Sequence, residues 1–413
     1  MTSRERVMRA LNFEDTDRVP KDLGGMLSTG ISCFAYPGLV RALGLPPRRP
    51  RVHDTSQMLA LPEMDVLDAL GCDVVPVFQY WNVTAAFEQA ERWFPYDFNG
   101  RLDARVLDPG AFKTQADGSI VQPAWNIRMP VDAYVFDAEH GGQPLDLSTD
   151  PPEPNLDALA ATLEAGLLTR EQVHETAELC RRVRNATDKA VFFNGPTAGI
   201  AISAYGGLGV FPLLCLIKPE FVKELHELVT DYVVRQLERL LPAVAPYIDI
   251  YISGCDDWGS QQQTFAPPAV FRELFQPYYR KVNDAVHAFA PEAKRFIHTC
   301  GAVYDVIDDI IDSGFDILNP VQWTAGGRSY RAWKDKCRGR IALWGGGVNT
   351  QGTLAYGSVE DVEREVREIV ACLREDGGFV FNAIHNILAE VAPEKVVAMY
   401  RTAERAGAAR AAT

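Results

Sequence analysis

The segment "RFIHTCG" places His298 and Cys300 two residues apart at the end of a β-rich run. Successive strand side chains alternate between faces, so these two project to the same side. An imidazole nitrogen and a thiolate sulfur are both zinc donors, at about 2.0–2.1 Å and 2.3 Å respectively. Two donors do not make a site, and a buried cysteine beside a hydrogen-bonded histidine would use the same spacing for packing. Metal binding needs a third donor from elsewhere, and His385, just past another predicted strand, is best placed. Asp257, Asp256 or Cys255, in "SGCDDWG", could complete a tetrahedron. Asp256 and Asp257 also suit acid/base catalysis, or equally a helix-capping turn. "GGGVNTQG" (345–352) offers a phosphate cradle or a tight exit from a strand, but it lacks the G-K-[ST] ending of a P-loop.

These residues are carried by eight short β-rich runs at 18–24, 72–78, 190–195, 249–254, 295–300, 315–320, 341–346 and 379–383. Their near-continuous apolar character suits parallel strands covered by helices. Between them lie segments of helical period. In "SVEDVEREVREIVACLREDGG", Ser358 reads as an N-cap with Asp361 three residues on. The pattern predicts an α/β fold, a (β/α)₈ TIM barrel, with an open doubly wound sheet as the alternative. Residues 79–150 break the repeat and read as a β-hairpin insertion after the second strand, with "ADGS" as one turn. The whole chain, 1–413, reads as one elaborated domain.

In such a barrel, function gathers at the C-terminal strand ends. The polar residues there include Gln322, Asn349 and Asn382, candidates for substrate binding. Tyr80, Trp81, Trp258, Trp323 and Trp344 lie near the same ends and could stack on an aromatic ligand or pack the rim.

Composition bounds the partners. The formal charge of −14 argues against nucleic acid or an anionic membrane. No apolar run reaches the length of a membrane span, and the N-terminus lacks the core of a signal peptide. Eight scattered cysteines without a C-x-x-C suit a reduced, cytoplasmic enzyme.

Several stretches resemble the uroporphyrinogen decarboxylase superfamily. They are "SRERVMRALNFEDTDRVP", "DDWGSQQQTFAPPAVFRELFQPYYRKV", "HTCGAVYDVIDDIIDSGFDILNPVQ", "LWGGGVNTQGTL" and "FNAIHNILAEVAPEKVVAMY". The resemblance implies a (β/α)₈ barrel with a funnel at its C-terminal end, and two chemistries. The decarboxylases are cofactor-free and grip an acidic tetrapyrrole with arginines after the first strand. Here no arginine occurs between Arg18 and Arg41. The other branch comprises zinc-dependent, corrinoid-linked methyltransferases, with His-x-Cys at strand five and a Cys after strand eight. His298 and Cys300 match the first part, while His385 stands where that Cys is expected and where the decarboxylases carry a His.

The resemblance therefore implies Zn²⁺ held by His298, Cys300 and His385 with Asp257. The implied activity moves a methyl group from a methoxylated small molecule to a corrinoid. No corrinoid-binding segment is recognisable, so the corrinoid is expected on a partner protein. Barrels of this family often pair, so a homodimer is also expected. The rival readings are a metal-free decarboxylase and a ligand-binding relative without chemistry.

Overall fold

The structure is a computed structural model, and it describes residues 1–79, 90–137 and 153–408. Seven parallel strands form one sheet: β1 (Val74–Phe78), β2 (Ala190–Asn194), β3 (Ile250–Cys255), β4 (Lys294–His298), β5 (Ile317–Asn319), β6 (Ala342–Trp344) and β7 (Phe379–Val380). Each pairs with its neighbour in sequence, the order of a singly wound β-α barrel and not of a doubly wound sheet. They are the second to eighth strands expected from the sequence.

The first expected strand, 18–24, is not a ladder strand. It forms a single parallel bridge, Lys21 to Phe381. The Phe381 N–H donates to Pro20 O at 2.8 Å, and the Asp22 N–H to Phe381 O at 2.9 Å. On its other side Asp73 N donates to Lys21 O at 2.7 Å. The segment thus joins β7 to the residue preceding β1, and it is the eighth stave of a (β/α)₈ barrel. It stays short for a local reason: Pro20 has no N–H to give, and the Lys21 N–H goes to the Asp73 carboxylate at 2.9 Å.

The interior and the outer sheath are separate cores. Val74, Phe192, Ile252, Phe296, Ile317, Ala342, Trp344 and Val380 fill the barrel, joined by Val7 and Leu11 of the N-terminal helix Ser3–Leu11. A larger apolar layer lies between sheet and helices. The helices include Pro219–Val244, Gln276–Phe289, Val359–Leu373 and Pro393–Gly407. The Ser358–Asp361 capping box expected from the sequence is present.

The described part of the insertion contains an antiparallel pair, Phe94–Asp97 with Asp103–Val106. It also contains a three-stranded sheet, Lys113–Thr114, Ile120–Gln122 and Ile127–Met129. The expected "ADGS" turn joins the first two of these, with Gln115 N donating to Ser119 O at 2.8 Å.

The closing seam is held by one buried carboxylate. Asp73 accepts from Arg6 Nη1 at 2.7 Å and from Arg18 Nη1 and Nη2 at 2.7 and 2.9 Å. Removing it leaves Arg6 with Asp17 alone and the largely buried Arg18 with only Glu404, 4.0 Å away, a loss of about 3 kcal/mol. Asp73→Ala is therefore expected to lower the denaturation midpoint sharply, measured by urea unfolding. A midpoint within error of the unmodified protein would show that the seam does not carry closure.

Candidate functional site

The site grows out of the two-residue alternation along the barrel strands. Phe192, Phe296, Ile317 and Val380 face inward, and two residues on stand Asn194, His298, Asn319 and Asn382, all buried. An apolar layer is thereby capped by a polar one at the C-terminal end. Phe192, Phe296 and Trp344 pack together beneath it, with Phe192 stacked on Trp344 at 5.8 Å between centroids.

Above this floor, donor atoms of His298, Cys300 and His385 all lie within 4.8 Å of one another. This is the set expected from the sequence. A tetrahedral zinc site would hold such donors about 3.4–3.6 Å apart, given its bond lengths. The set needs only a small side-chain contraction to close on an ion, so its chemistry and spacing fit zinc.

His298 is oriented from behind. Its Nδ1 lies 2.7 Å from Asn319 Oδ1, while Asn319 Nδ2 donates to Trp344 O at 3.0 Å. The second contact requires the amide nitrogen to face Trp344, so Oδ1 accepts the Nδ1–H of His298. Nε2 is left facing the mouth, 3.3 Å from Asp257 Oδ1. Burial alone would pull the His298 pKa down. Hydrogen bonds with Asp257 and Cys300 outweigh it and hold the imidazole well above its ordinary value. Burial would likewise raise Asp257, yet His298 holds that carboxyl well below the usual range. The two shifts agree on an imidazolium–carboxylate pair, whose Nε2 proton a cation can replace. Because Asp257 is 53% exposed, we attach no stability to that pair.

His385 differs. Its ring stands 5.5 Å from that of His298, at 73°. Burial, with the neighbouring His298 charge, pushes it down to about 4. It is a neutral imidazole at physiological pH, and among the described residues none hydrogen-bonds to its ring.

The two ligand loops are locked by a backbone crossing. Gly259 N donates to Cys300 O at 3.1 Å, and a Cβ on Gly301 would lie 2.0 Å from Gly259 O. Gly301 also has φ +85°, where side chains are strained. Gln322 Oε1 accepts the Gly301 N–H at 2.7 Å, so this expected ligand residue braces the turn that presents Cys300.

The remaining expected residues take varied positions. Asp256 is buried, accepts from Ile202 N at 2.8 Å and Tyr279 OH at 3.2 Å, and is raised by burial to about 7. It tethers the loop after β2. Trp258 is fully enclosed against Phe271 and Phe275, and Trp344 is fully enclosed in the barrel. Packing claims both rings. Trp323 is half-buried and donates to Gly346 O at 2.9 Å. Asn349 braces its own turn, accepting from Gln351 N at 3.0 Å, and Asn382 donates to Asp22 O at 2.8 Å. Tyr80 and Trp81 lie outside the described residues. Cys255 is exposed at the mouth, the register partner of His298. In "GGGVNTQG", Gly346 has φ +86° and approaches Val321 too closely for a Cβ, which matches a tight strand exit.

Sequence reasoning missed Asn319 and Asp22. Asn319 had a usable signal, since it follows inward Ile317 by two residues, just as His298 follows Phe296. Asp22 had none, because its partner Trp344, which donates to Oδ2 at 3.0 Å, is 322 residues away.

Residues 146–406 match the family model described as Uroporphyrinogen decarboxylase (URO-D). The chain belongs to this family. It is 26% identical over 232 residues to the uroporphyrinogen decarboxylase of Syntrophotalea carbinolica, covering 54% of this chain and 61% of that protein. With the uroporphyrinogen decarboxylase of Chloroherpeton thalassium it shares 27% over 184 residues, covering 43% and 45%. The matches thus span less than two thirds of either relative. Among solved structures, a methyltransferase from Methanosarcina mazei superposes with TM-score 0.55 at 15% identity, covering 98% of this chain and 99% of that one. That likeness shows the fold. Among the described residues no helix is long and apolar enough to cross a membrane.

Asp22 provides a test of the polar layer. Burial raises its carboxyl to about 6, against hydrogen bonds from Thr29, Trp344 and Gly25. With the folded value above the unfolded one, the folded chain holds the extra proton between about pH 4 and 6. Stability is full below that window and falls as pH rises through it. Asp22→Asn keeps a neutral acceptor for Trp344 and should remove this fall, on the order of 2–3 kcal/mol between pH 4 and 7. Parallel stability–pH profiles for the two proteins would refute the assignment.

Proposed function

We propose that this chain is a zinc-dependent methyltransferase that moves a methyl group from a methoxylated small molecule to the cobalt of a corrinoid on a separate protein. The observation that carries the reading is the convergence of two imidazoles and a thiol at the barrel mouth. Zinc would be held by His298, Cys300 and His385, with Asp257 as the fourth ligand. When bound, zinc supplies a Lewis acid at this position.

The chain's own residues prepare that position. Asn319 fixes the His298 tautomer so that Nε2, not Nδ1, faces the mouth, and such outer partners tune both orientation and affinity. Low basicity keeps His385 free of a proton. The layer of Phe192, Phe296 and Trp344 keeps water from entering below. Half-buried Trp323 offers an aromatic edge at the rim for a substrate ring. Cys255 and Asp256 lie beside the ligands, Asp256 holding the adjoining loop. A corrinoid protein would approach over the open mouth, and two chains would pair, as barrels of this family often do. The eight free cysteines suit a cytoplasmic, reducing setting.

Decarboxylation of an acidic substrate is the second reading, favoured by the relatives' names. It is weakened by the absence of arginine from residues 19–40, which removes the counter-charges a polycarboxylate needs there.

Elemental analysis of the purified protein should find about one zinc per chain, lost in a His298→Ala/Cys300→Ser double variant. Asn319→Ala should keep the fold but weaken zinc about 10–100-fold in competition with a chelator. With a corrinoid partner and methoxylated aromatics supplied, cobalt spectra should report methylation. An unmodified protein without zinc would overturn the proposal, and release of CO₂ from a porphyrinogen would favour the second reading.

A further inference from the structure

Beyond the metal ligands, the described surface holds one cleft of about 820 Å³ whose lining is basic on an otherwise acidic chain. Arg41, Arg48, Arg49 and Arg101 line it, against two acids, Asp103 and Glu390. The four guanidiniums differ in how fully they are spent. Arg48 is tied to Asp65 by two bonds, at 2.8 and 2.6 Å, and is structural. Arg49 meets Asp103 at 2.7 Å, with both side chains about half exposed. A pair of that kind contributes little and exchanges its partner readily.

Among the described residues Arg101 and Arg41 have no carboxylate partner. Arg101 is half-buried, sits over the Phe34 and Tyr134 rings at 5.4 and 5.5 Å, and donates to the carbonyls of Pro130 and Ala133. Its orientation is therefore set while its charge stays uncompensated. Arg41 is exposed and makes no hydrogen bond or ion pair among the described residues. The helix Pro393–Gly407 begins at the same cleft, and no side chain caps its start. That adds a modest positive field to the one the arginines create. The rest of the wall, including Phe34, Pro37 and Leu102, is apolar.

We infer that this cleft binds a small organic anion, a phosphate or carboxylate group held by Arg41, Arg49 and Arg101, with an apolar body against Phe34 and Leu102. The volume is that of a small-ligand site. Planar guanidiniums are suited to both anions, since each presents a fork of donors to paired oxygens. The inference is independent of the metal reading, because none of the metal donors lines the cleft.

Isothermal titration of the full chain with pyrophosphate, and separately with citrate, tests it at constant ionic strength in chloride. One of the two should bind saturably at one site per chain, and which one does distinguishes the phosphate from the carboxylate source. Arg41→Gln, at an exposed and unpaired position, should weaken that binding about tenfold, the loss of one charged hydrogen bond. It should leave zinc content and circular dichroism unchanged. Two results would overturn the inference: no heat beyond that of chloride for either anion, or binding that Arg41→Gln and an Arg49→Gln/Arg101→Gln variant leave intact.

Discussion

Curvature of the sheet is the constraint on which the candidate site depends. His298 ends β4 and His385 follows β7, three strand positions away. In a flat sheet strands lie about 4.8 Å apart, so these positions would be separated by about 14 Å. Their donor atoms instead lie within 4.8 Å, together with that of Cys300. Only a sheet curled onto itself brings the ends of β4 and β7 across the mouth to a common point. Closure through Pro20–Asp22 fixes that curl, and the buried Asp73 carboxylate holds the closing segment. A pair of arginines far from the chemistry therefore belongs to the conditions for having a site at all.

Within the closed barrel, polarity is layered. The lower interior is aromatic and aliphatic, and the ring above it is made of amides, His298 and Asp22. Buried polar groups are costly unless each finds a partner. Here the partners are mutual: Asn319 bridges His298 and the Trp344 backbone, and Asn382 and Trp344 both reach Asp22. The same network, which pairs these groups except Asn382 Oδ1, also turns Nε2 of His298 toward the mouth. Satisfaction of buried polarity and presentation of a ligand atom are one arrangement.

Membership of the uroporphyrinogen decarboxylase family leaves two chemistries open, and particular residues bear on each. A polycarboxylate tetrapyrrole needs cations after the first stave, where this chain has no arginine between Arg18 and Arg41. Arg18 is spent on Asp73, and Lys21 is buried and bound to Glu404 at 2.8 Å. What the mouth offers instead is a neutral base, a thiol and an oriented imidazole. This donor set suits a borderline-soft cation better than it suits a carboxylate. The arginines that the chain does have, at 41, 48, 49 and 101, line a different cleft.

Much of this was legible in the sequence. The apolar runs and helical periods were enough for a parallel β-α barrel, because the period of side-chain exposure is a local property. Strand alternation put His298 and Cys300 on one face for the same reason, and Ser358 with Asp361 announced a helix start. Its position just past a predicted strand made His385 the best-placed third donor, and the resemblance put it where the family's methyltransferases carry a Cys. Other features depend on which segments meet in three dimensions. The first stave is a single bridge because Asp73 takes its N–H. Trp344 is enclosed by Phe192 and Phe296 of other strands, and Trp258 by Phe271 and Phe275 of the segment that follows it. Asn319 acts on His298 only because β4 and β5 lie in register, and Asp22 is perturbed only because the barrel closes over it. The sequence by itself determined which residues repeat and which way they alternate. Tertiary structure decided which of them share a solvent-free space, and burial and charge can act only between groups already brought together.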